Sequence, residues 1–316
     1  MIKVAVIGAG SFGKNHVRVV RENPRAELTY VVDSDLTQAS EHAAGAPVTS
    51  DFRHVIGKVD AAIVAVPTVK HADIGCALLE AGIDVLVEKP IAPTLVEAQR
   101  LVDTAEAHNR ILQVGHLERF NPAVIELERL ATVPLFFEIH RMSVFTLRSL
   151  DVDVVLDLMI HDLDIVLAMV RSELKEIRAA GISVLSPKVD IANVRLEFEN
   201  GCIANLTASR VSTEKVRKLR LFQPRQYISV DYAKQAAAAF TVGGPEGISF
   251  NQLPIEPAEP LKLQFNAFLD AIESRNAPKL NGRIARKTLE IALAVLDKIG
   301  EHSRVVEKTL ASEWKP

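Results

Sequence analysis

Five short apolar runs, each followed by a stretch with helical spacing of its apolar residues, fill the first 120 positions of the chain. The runs cover residues 3–7, 28–32, 61–66, 84–87 and 111–114, and helices are expected between them near 13–22, 37–44, 70–81 and 94–108. Most runs are apolar at consecutive positions, as in a parallel sheet whose two faces are both covered. Alternation of this kind predicts a doubly wound α/β domain.

The pattern changes after Asn121-Pro122. A helix is expected over 122–130, a strand over 135–143 and a helix over 153–170. Strand-like runs then follow one another at 176–185, 192–199, 202–210, 217–223, 227–231 and 237–242. Asn200-Gly201 between two of them is a hairpin signal, so the spacing predicts an antiparallel meander. Residues 242–260, with much Gly and Pro, read as a loop, and two amphipathic helices close the chain near 261–274 and 283–299. The fold expected is therefore α/β: a doubly wound parallel sheet in residues 1–120, and in 121–316 an α/β domain with an open, mainly antiparallel sheet. The last helices are free to pack back on the first domain.

The first apolar run leads straight into Gly8-Ala9-Gly10-Ser11-Phe12-Gly13, and Asp33 ends the second run, twenty residues past Gly13. A glycine pattern alone says little. Between a strand and a helix, with an acid at this distance, it is the dinucleotide-binding fingerprint of a Rossmann domain. Gly8 permits the tight turn, Gly10 lets backbone approach a pyrophosphate, and Gly13 lets helix and strand pack closely. The helix N-terminus offers N–H groups to the phosphates. A carboxylate at 33 accepts from ribose hydroxyls and repels a 2′-phosphate, which favours NAD over NADP. Ligands in such sheets sit outside the carboxyl ends of the strands. Val66-Pro67-Thr68 with His71, and Glu88-Lys89-Pro90, stand at two such ends. Lys89 there either projects toward a nicotinamide or is a solvated surface lysine.

Asp157 and His161, four apart on an otherwise apolar helix, share a face. An acid and an imidazole on a buried helix need partners. They are either a satisfied structural pair or a general base held by a carboxylate, suited to taking the hydroxyl proton as hydride leaves an alcohol carbon. Lys89 would act as the base only if burial or the nicotinamide charge lowered its pKa from about 10.4; as a cation it would instead steady the developing carbonyl oxygen, with His161 as the base. A metal site from Asp157, His161 and Asp162 is the poorer reading, because Asp162 points about 100° away from His161. Arg119 and Asn121 are placed to reach a substrate, or else Asn121 caps a helix that starts at Pro122. Arg148 precedes the Asp157 helix. Arg210, Lys215, Arg217, Lys218 and Arg220 form a basic run that reads as a solvated strand face or, for a diphosphate substrate, as its binding site.

Composition narrows the classes. The 316 residues are 48% apolar and 24% charged with a net charge of −3, so nothing points to nucleic acid. No apolar run reaches the ~20 residues that span a bilayer, and no cationic segment with a cleavage site precedes the first strand. Two cysteines, Cys76 and Cys202, make no disulfide framework and fit a reducing cytoplasm.

Taken together, Gly8 to Gly13 with His16, Val66-Pro67-Thr68 with His71, the run from Ala81 to Glu88-Lys89-Pro90, and Asp157-Leu158-Met159-Ile160-His161-Asp162 closely resemble the Gfo/Idh/MocA oxidoreductases, the glucose-fructose oxidoreductase and inositol dehydrogenase family. The resemblance covers essentially the whole chain. It implies an NAD(P)-dependent sugar dehydrogenase acting on CH–OH, with a sugar or polyol substrate lying between the second domain's sheet and the nicotinamide. It implies an assembly of identical subunits, dimer or tetramer, through that sheet. Lys89 matches the family's active-site lysine, and Asp157 and His161 match its Asp-x-x-x-His pair. The implied cofactor site comprises Gly8, Gly10, Ser11, Phe12, Gly13, Asp33, Val66, Pro67, Thr68, His71, Glu88 and Lys89. With Lys89, Asp157 and His161 from the resemblance, the candidate substrate site adds, from the residues themselves, Arg119, Asn121, Arg217 and Arg148, the last placed to hold a phosphate or sugar hydroxyl. The chain departs from the family pattern at Asp151-Val152-Asp153 and Met159, where many members have glycines, which leaves the loop shape there open. Residues 190–210 and 217–223 look most like the branch that oxidises nucleotide sugars at C3, the UDP-N-acetylglucosamine 3-dehydrogenases. A dehydrogenase of a free sugar or inositol, and a catalytically silent dinucleotide-sensing regulator, are the competing readings; retention of Lys89, Asp157 and His161 together argues against the second.

Overall fold

The computed structural model describes residues 1–146, 152–243 and 247–313. The chain forms two compact units, one made of Met1–Leu117 with Glu259–Leu289 and the other of Glu118–Ala258 with Glu290–Pro316.

The first unit is built on β1 (Ile2–Ile7), β2 (Ala26–Val32), β3 (Val48–Thr49), β4 (Ala61–Val64), β5 (Asp84–Glu88) and β6 (Leu112–Gly115), in the order β3-β2-β1-β4-β5-β6 and parallel throughout. Its helices are α1 (Gly13–Glu22), α2 (Leu36–Ala43), α3 (His71–Glu80) and α4 (Leu95–Ala107). The expected runs are present within a residue or two. The addition is β3, only two residues long and too short for a hydrophobic pattern to reveal. Strand order reverses between β1 and β4, the position at which an open α/β sheet leaves a crevice. β4 is apolar and buried at every position, and β5 is buried throughout as well, with Asp84 and Glu88 at the ends of its apolar centre. A late helix, α7 (Pro260–Ser274), packs on α1 and brings Phe265, Phe268 and Leu269 into the same core as Val4, Val6 and Ile63.

The second unit opens with α5 (Pro122–Leu130), followed by β7 (Phe136–Val144), a π-helical turn (Val155–Met159) that runs into α6 (Ile160–Val170), then β8 (Leu174–Ile182), β9 (Ile191–Phe198), β10 (Ile203–Ser212), β11 (Val216–Gln223), β12 (Gln226–Asp231), β13 (Ala236–Val242) and β14 (Ile248–Gln252). The final helix α8 (Gly282–Glu313) contributes Ile291, Val295 and Ile299 to this unit's core.

Three sequence expectations are corrected here. The sheet is not a simple meander: its order is β14-β13-β12-β11-β7-β10-β9-β8, with β7 inserted at the centre, parallel to β10 and antiparallel to β11. Hairpin signals report neighbours in sequence and are blind to a strand that inserts from elsewhere. The expected loop 242–260 contains β14, an exposed strand with almost no buried positions to register as a pattern. The last helix does not stop at 299, because Gly300 sits inside it, where a side chain would meet nothing; an isolated glycine lowers helix propensity without ending the helix. No helix among the described residues is long and apolar enough to cross a membrane.

Candidate active site

In the first unit the chemistry gathers at the carboxyl ends of β1, β2 and β4. Gly8 turns the chain with φ +94°, and a Cβ on it would lie 2.5 Å from the Ala65 carbonyl oxygen. A Cβ on Gly13 would lie 1.8 Å from the Gly8 carbonyl oxygen, so α1 packs against the turn only with glycine there. Gly10, by contrast, faces open space. The turn borders a cleft of about 620 Å³ lined by Gly8, Gly10, Asp33, Val66 and Pro67 among the expected cofactor residues. That volume is within the usual range for a small-molecule site. The Asp33 carboxylate holds both sides of the cleft entrance: Oδ2 accepts from the Ala9 N–H at 2.7 Å and Oδ1 from the Asp35 N–H at 3.0 Å. Oδ1 also accepts from the Ser34 hydroxyl at 3.4 Å, so the lone pair left for a further donor is on Oδ2. No side chain caps the N-terminus of α1, and Ser11 and Phe12 are exposed beside it. Thr68 is half-buried after β4 and does not line the cleft.

Sequence reasoning missed Gln38, Ser50, Phe52 and Lys70, which also line the cleft, as does Ser34 next to Asp33. Ser50 and Phe52 follow β3, so overlooking that strand hid them.

Two residues expected at the cofactor are engaged elsewhere. Glu88 is buried, its Oε1 2.8 Å from His16 Nε2 and its Oε2 accepting from the Lys89 N–H at 3.3 Å. A Cβ on Gly115 of β6 would sit 2.7 Å from both carboxylate oxygens, so that glycine leaves the space Glu88 occupies. His71 is 1% exposed, and its two ring nitrogens lie 2.9 Å and 3.0 Å from the Val66 and Pro90 carbonyl oxygens. Burial pushes its pKa below the ordinary histidine value. Neither side chain lines the cleft. Lys89, half-buried, follows β5 directly.

In the second unit Asp157 lies in the π turn and His161 in the first turn of α6, both half-buried. The expected uniform helix is thus locally widened at the pair, with the Ile160 N–H donating to the Val155 carbonyl; π turns of this kind concentrate at functional sites. Met159, at a position where glycine was expected from the family pattern, is fully buried.

Around the pair runs a buried ionic network. Arg141 of β7, 2% exposed, donates from Nε and Nη2 to Asp162 at 2.7 and 2.8 Å and from Nη1 to Glu118 at 2.9 Å. Its guanidinium lies 5.2 Å from the Tyr232 ring centroid. Burial works against the Arg141 cation, but Asp162 and Glu118 more than offset it and hold its pKa above the ordinary value. Burial also pushes Asp162 up; the bidentate geometry is that of an ionised pair. Glu118 is held low, against burial, by Arg141 and Arg217. Arg217 donates to the same Glu118 oxygen at 3.1 Å, keeps about a third of its side chain exposed at 32%, and feels the Asp157 charge.

The remaining candidates separate. Arg119 is buried and pairs with Glu128 and Asp164, and Asn121 caps α5 through the Ala123 N–H and donates to the Tyr232 carbonyl. Both serve the unit's interior, and the capped-helix reading is the one observed. Arg210 is also buried, donating to the Val152 and Val189 carbonyls, while Lys215, Lys218 and Arg220 are exposed. Arg148 lies outside the described residues. Among the described residues no group of three or more His, Cys, Asp or Glu is arranged to hold a metal.

Comparison with known proteins decides the family. Residues 2–116 match the profile of the oxidoreductase family with an NAD-binding Rossmann fold, Gfo/Idh/MocA, and residues 133–228 match the Gfo/Idh/MocA C-terminal domain. The chain belongs to the Gfo/Idh/MocA oxidoreductase family. It is 32% identical over 302 residues to the UDP-N-acetylglucosamine 3-dehydrogenase of Acidithiobacillus ferrooxidans, covering 93% of this chain and 96% of that one. A solved structure of that enzyme superposes with a TM-score of 0.91 at 30% identity, over 95% of this chain and 98% of that one. An inositol 2-dehydrogenase of Saccharopolyspora erythraea is 38% identical, but over only 135 residues, 40% of each chain. A levoglucosan dehydrogenase in complex with NADH and levoglucosan shares the fold at 18% identity, TM-score 0.84, over 95% of this chain and 98% of that one.

Proposed function

We propose that this oxidoreductase uses NAD to oxidise a nucleotide sugar, UDP-N-acetylglucosamine, at its C3 carbinol. The observation that carries the reading is the similarity to the Acidithiobacillus enzyme, which spans both units, whereas similarity to the inositol dehydrogenase covers 40% of the chain. The residues fit the cofactor. The open side of Gly10 admits a pyrophosphate, and the remaining lone pair on Asp33 Oδ2 suits a ribose hydroxyl. Among the described residues the cleft lining has one basic side chain, Lys70, against two carboxylates, Asp33 and Asp73, which favours NAD over NADP. When bound, NAD accepts the hydride from the carbinol carbon. His161 takes the hydroxyl proton, Asp157 fixes the imidazole tautomer and steadies its charged form, and the Lys89 ammonium steadies the developing carbonyl oxygen. Arg217, partly exposed and held by Glu118, is the candidate for the substrate's diphosphate.

The test is reduction of NAD and NADP, followed by absorbance, with UDP-N-acetylglucosamine, free hexoses and inositols. Turnover with the nucleotide sugar and NAD upholds the reading; turnover with inositol alone replaces it. Arg217→Ala is expected to weaken UDP-sugar binding about tenfold while leaving NADH binding unchanged; equal losses would remove Arg217 from the substrate site.

A cytoplasmic location and assembly with a second copy of the chain complete the proposal. The second unit's sheet carries a ladder of ring contacts, Phe136–Phe222–Tyr227–Phe240–Phe250, with centroids 4.7–5.8 Å apart. Phe250 is 59% exposed, and Ile248 beside it 68%. An apolar strip of this kind suits a self-complementary interface.

A further inference from the structure

One buried side chain joins the segments that follow β4 and β5. His71, the first residue of α3, presents Nε2 to the Val66 carbonyl and Nδ1 to the Pro90 carbonyl, at 2.9 and 3.0 Å. Val66 and its neighbour Pro67 line the cofactor cleft, and Pro90 directly follows Lys89. Both partners are carbonyl oxygens, which only accept. A neutral imidazole has one N–H and satisfies one of them; the imidazolium satisfies both. Burial disfavours the cation, and His71 titrates below the ordinary histidine value although the two carbonyls and the Glu88 charge pull the other way. The charged groups around it are Glu88 of β5, itself held by His16 of α1, Lys70 and Asp73 on its own helix and lead-in, Arg100 of α4 on Asp73, and Lys89 beside Pro90.

We infer that His71 is a positioning residue: its ring, donating to one of the two carbonyls and filling the space up to the other, sets the spacing between the cleft wall at Val66 and the Lys89–Pro90 segment, and so aims the Lys89 amine, without touching cofactor or substrate. This rests on the catalytic reading of Lys89 above. His16 supports the same segment from the other side through Glu88, whose second oxygen accepts from the Lys89 N–H. Lys89 thus lies between two imidazole supports, one reaching the residue before it and the other the residue after it.

The experiment uses the full-length protein. His71→Phe keeps a ring and removes both contacts, while His71→Gln keeps one donor. In His71→Phe, NADH affinity is expected to stay within about threefold while kcat falls at least about tenfold at little changed sugar KM, because a misplaced catalytic group costs rate more than binding. His71→Gln is expected to recover a large part of the loss. Unchanged kcat in His71→Phe, or equal loss of kcat and NADH affinity, would overturn the inference. Should His71→Phe not fold, nitrogen NMR of the parent's histidines decides. A single neutral tautomer that resists protonation below the ordinary value of about 6.5 is expected. A ring that averages its tautomers and titrates normally would overturn the bridge. The NMR readout needs no turnover, so a parent that binds NADH but oxidises no sugar refutes the proposed activity and still leaves the bridge to be judged.

Discussion

The two units hold their candidate reactive residues by different means. Around Lys89 the supports are backbone carbonyls, backbone N–H groups, two histidines and one carboxylate. On the elements that carry Asp157 and His161 the buried polar groups are ion pairs: Arg141 on Asp162 and Glu118, Arg217 on Glu118, and Arg119 on Asp164. The first arrangement places few charges in the interior. The second places arginines and carboxylates there in balance, and a balanced buried network holds geometry only while every member is present. The difference follows from the scaffold. The ends of a parallel sheet converge many backbone groups on one crevice. A helix lying on a mixed sheet has its own backbone groups satisfied and must be fixed through side chains.

The largest expected effect breaks that contrast directly. Arg141→Met leaves Asp162 and Glu118 buried without their main partner and is expected to cost about 3–5 kcal/mol in urea unfolding. Glu88→Gln in the first unit keeps a polar partner for His16 and is expected to cost about 1 kcal/mol. Comparable losses for the two would show that the units do not differ in the way their polar groups are held. Adding Asp162→Leu to Arg141→Met should restore part of the loss, since removing both partners of a buried pair is far less costly than removing one.

Next come the reactive residues themselves. His161→Ala and Lys89→Ala are each expected to lower kcat by about 100-fold or more while NADH still binds with near-parental affinity. Near-normal turnover in either variant removes that residue from the mechanism. Loss of NADH binding in His161→Ala would sharpen the comparison in another direction, by giving the second unit a part in holding the cofactor.

The same contrast explains what the sequence could tell. In the first unit, strand, glycine turn and Asp33 lie within one βαβ stretch, and each glycine has a local steric reason that a motif captures. The exceptions there are non-local or short: His71 was placed at the cofactor because its motif position could not show that both nitrogens end on carbonyls, and β3 was too brief to see. In the second unit the helix and most strands were legible from periodicity, but the network was not. Glu118 and Arg217 are 99 residues apart, and Arg141 and Asp162 meet only because β7 enters the sheet centre beside β10 and β11. Arg119, Arg210 and Arg217 look alike in sequence; burial alone separates the two interior ones from the one that reaches the surface.

A smaller effect concerns the ring ladder. Phe240→Glu puts a charge in the middle of the stacked strip, on a strand where Phe240 is 40% exposed in the single chain. Folding is expected to lose about 1–2 kcal/mol with the two ring contacts, while mass photometry shifts from assembly to single chains. An unchanged mass distribution would place any contact between copies elsewhere on the molecule.

The smallest effect tests the neutral-imidazole support in the first unit through pH. His71 titrates below its ordinary value in the folded protein because burial outweighs the carbonyls. The unfolded chain therefore takes up a proton at that position before the folded one does. The stability His71 contributes is fully present above about pH 6.5 and falls as pH drops from there toward the folded-state pKa, by at most about 1.4 kcal/mol per pH unit for one proton. His71→Gln lacks this titration, whereas Glu118 and Asp190, both held low, titrate alike in parent and variant and cancel in the difference. The difference in unfolding free energy between parent and His71→Gln is thus expected to be level from pH 8 to about 6.5 and to move against the parent below that. A level difference down to pH 5 would mean that the ring's charge state is indifferent to its carbonyl partners. A difference that moves in the parent's favour would mean that the cation bridging both carbonyls is the stable form, and that this unit too relies on a buried charge to hold its reactive lysine.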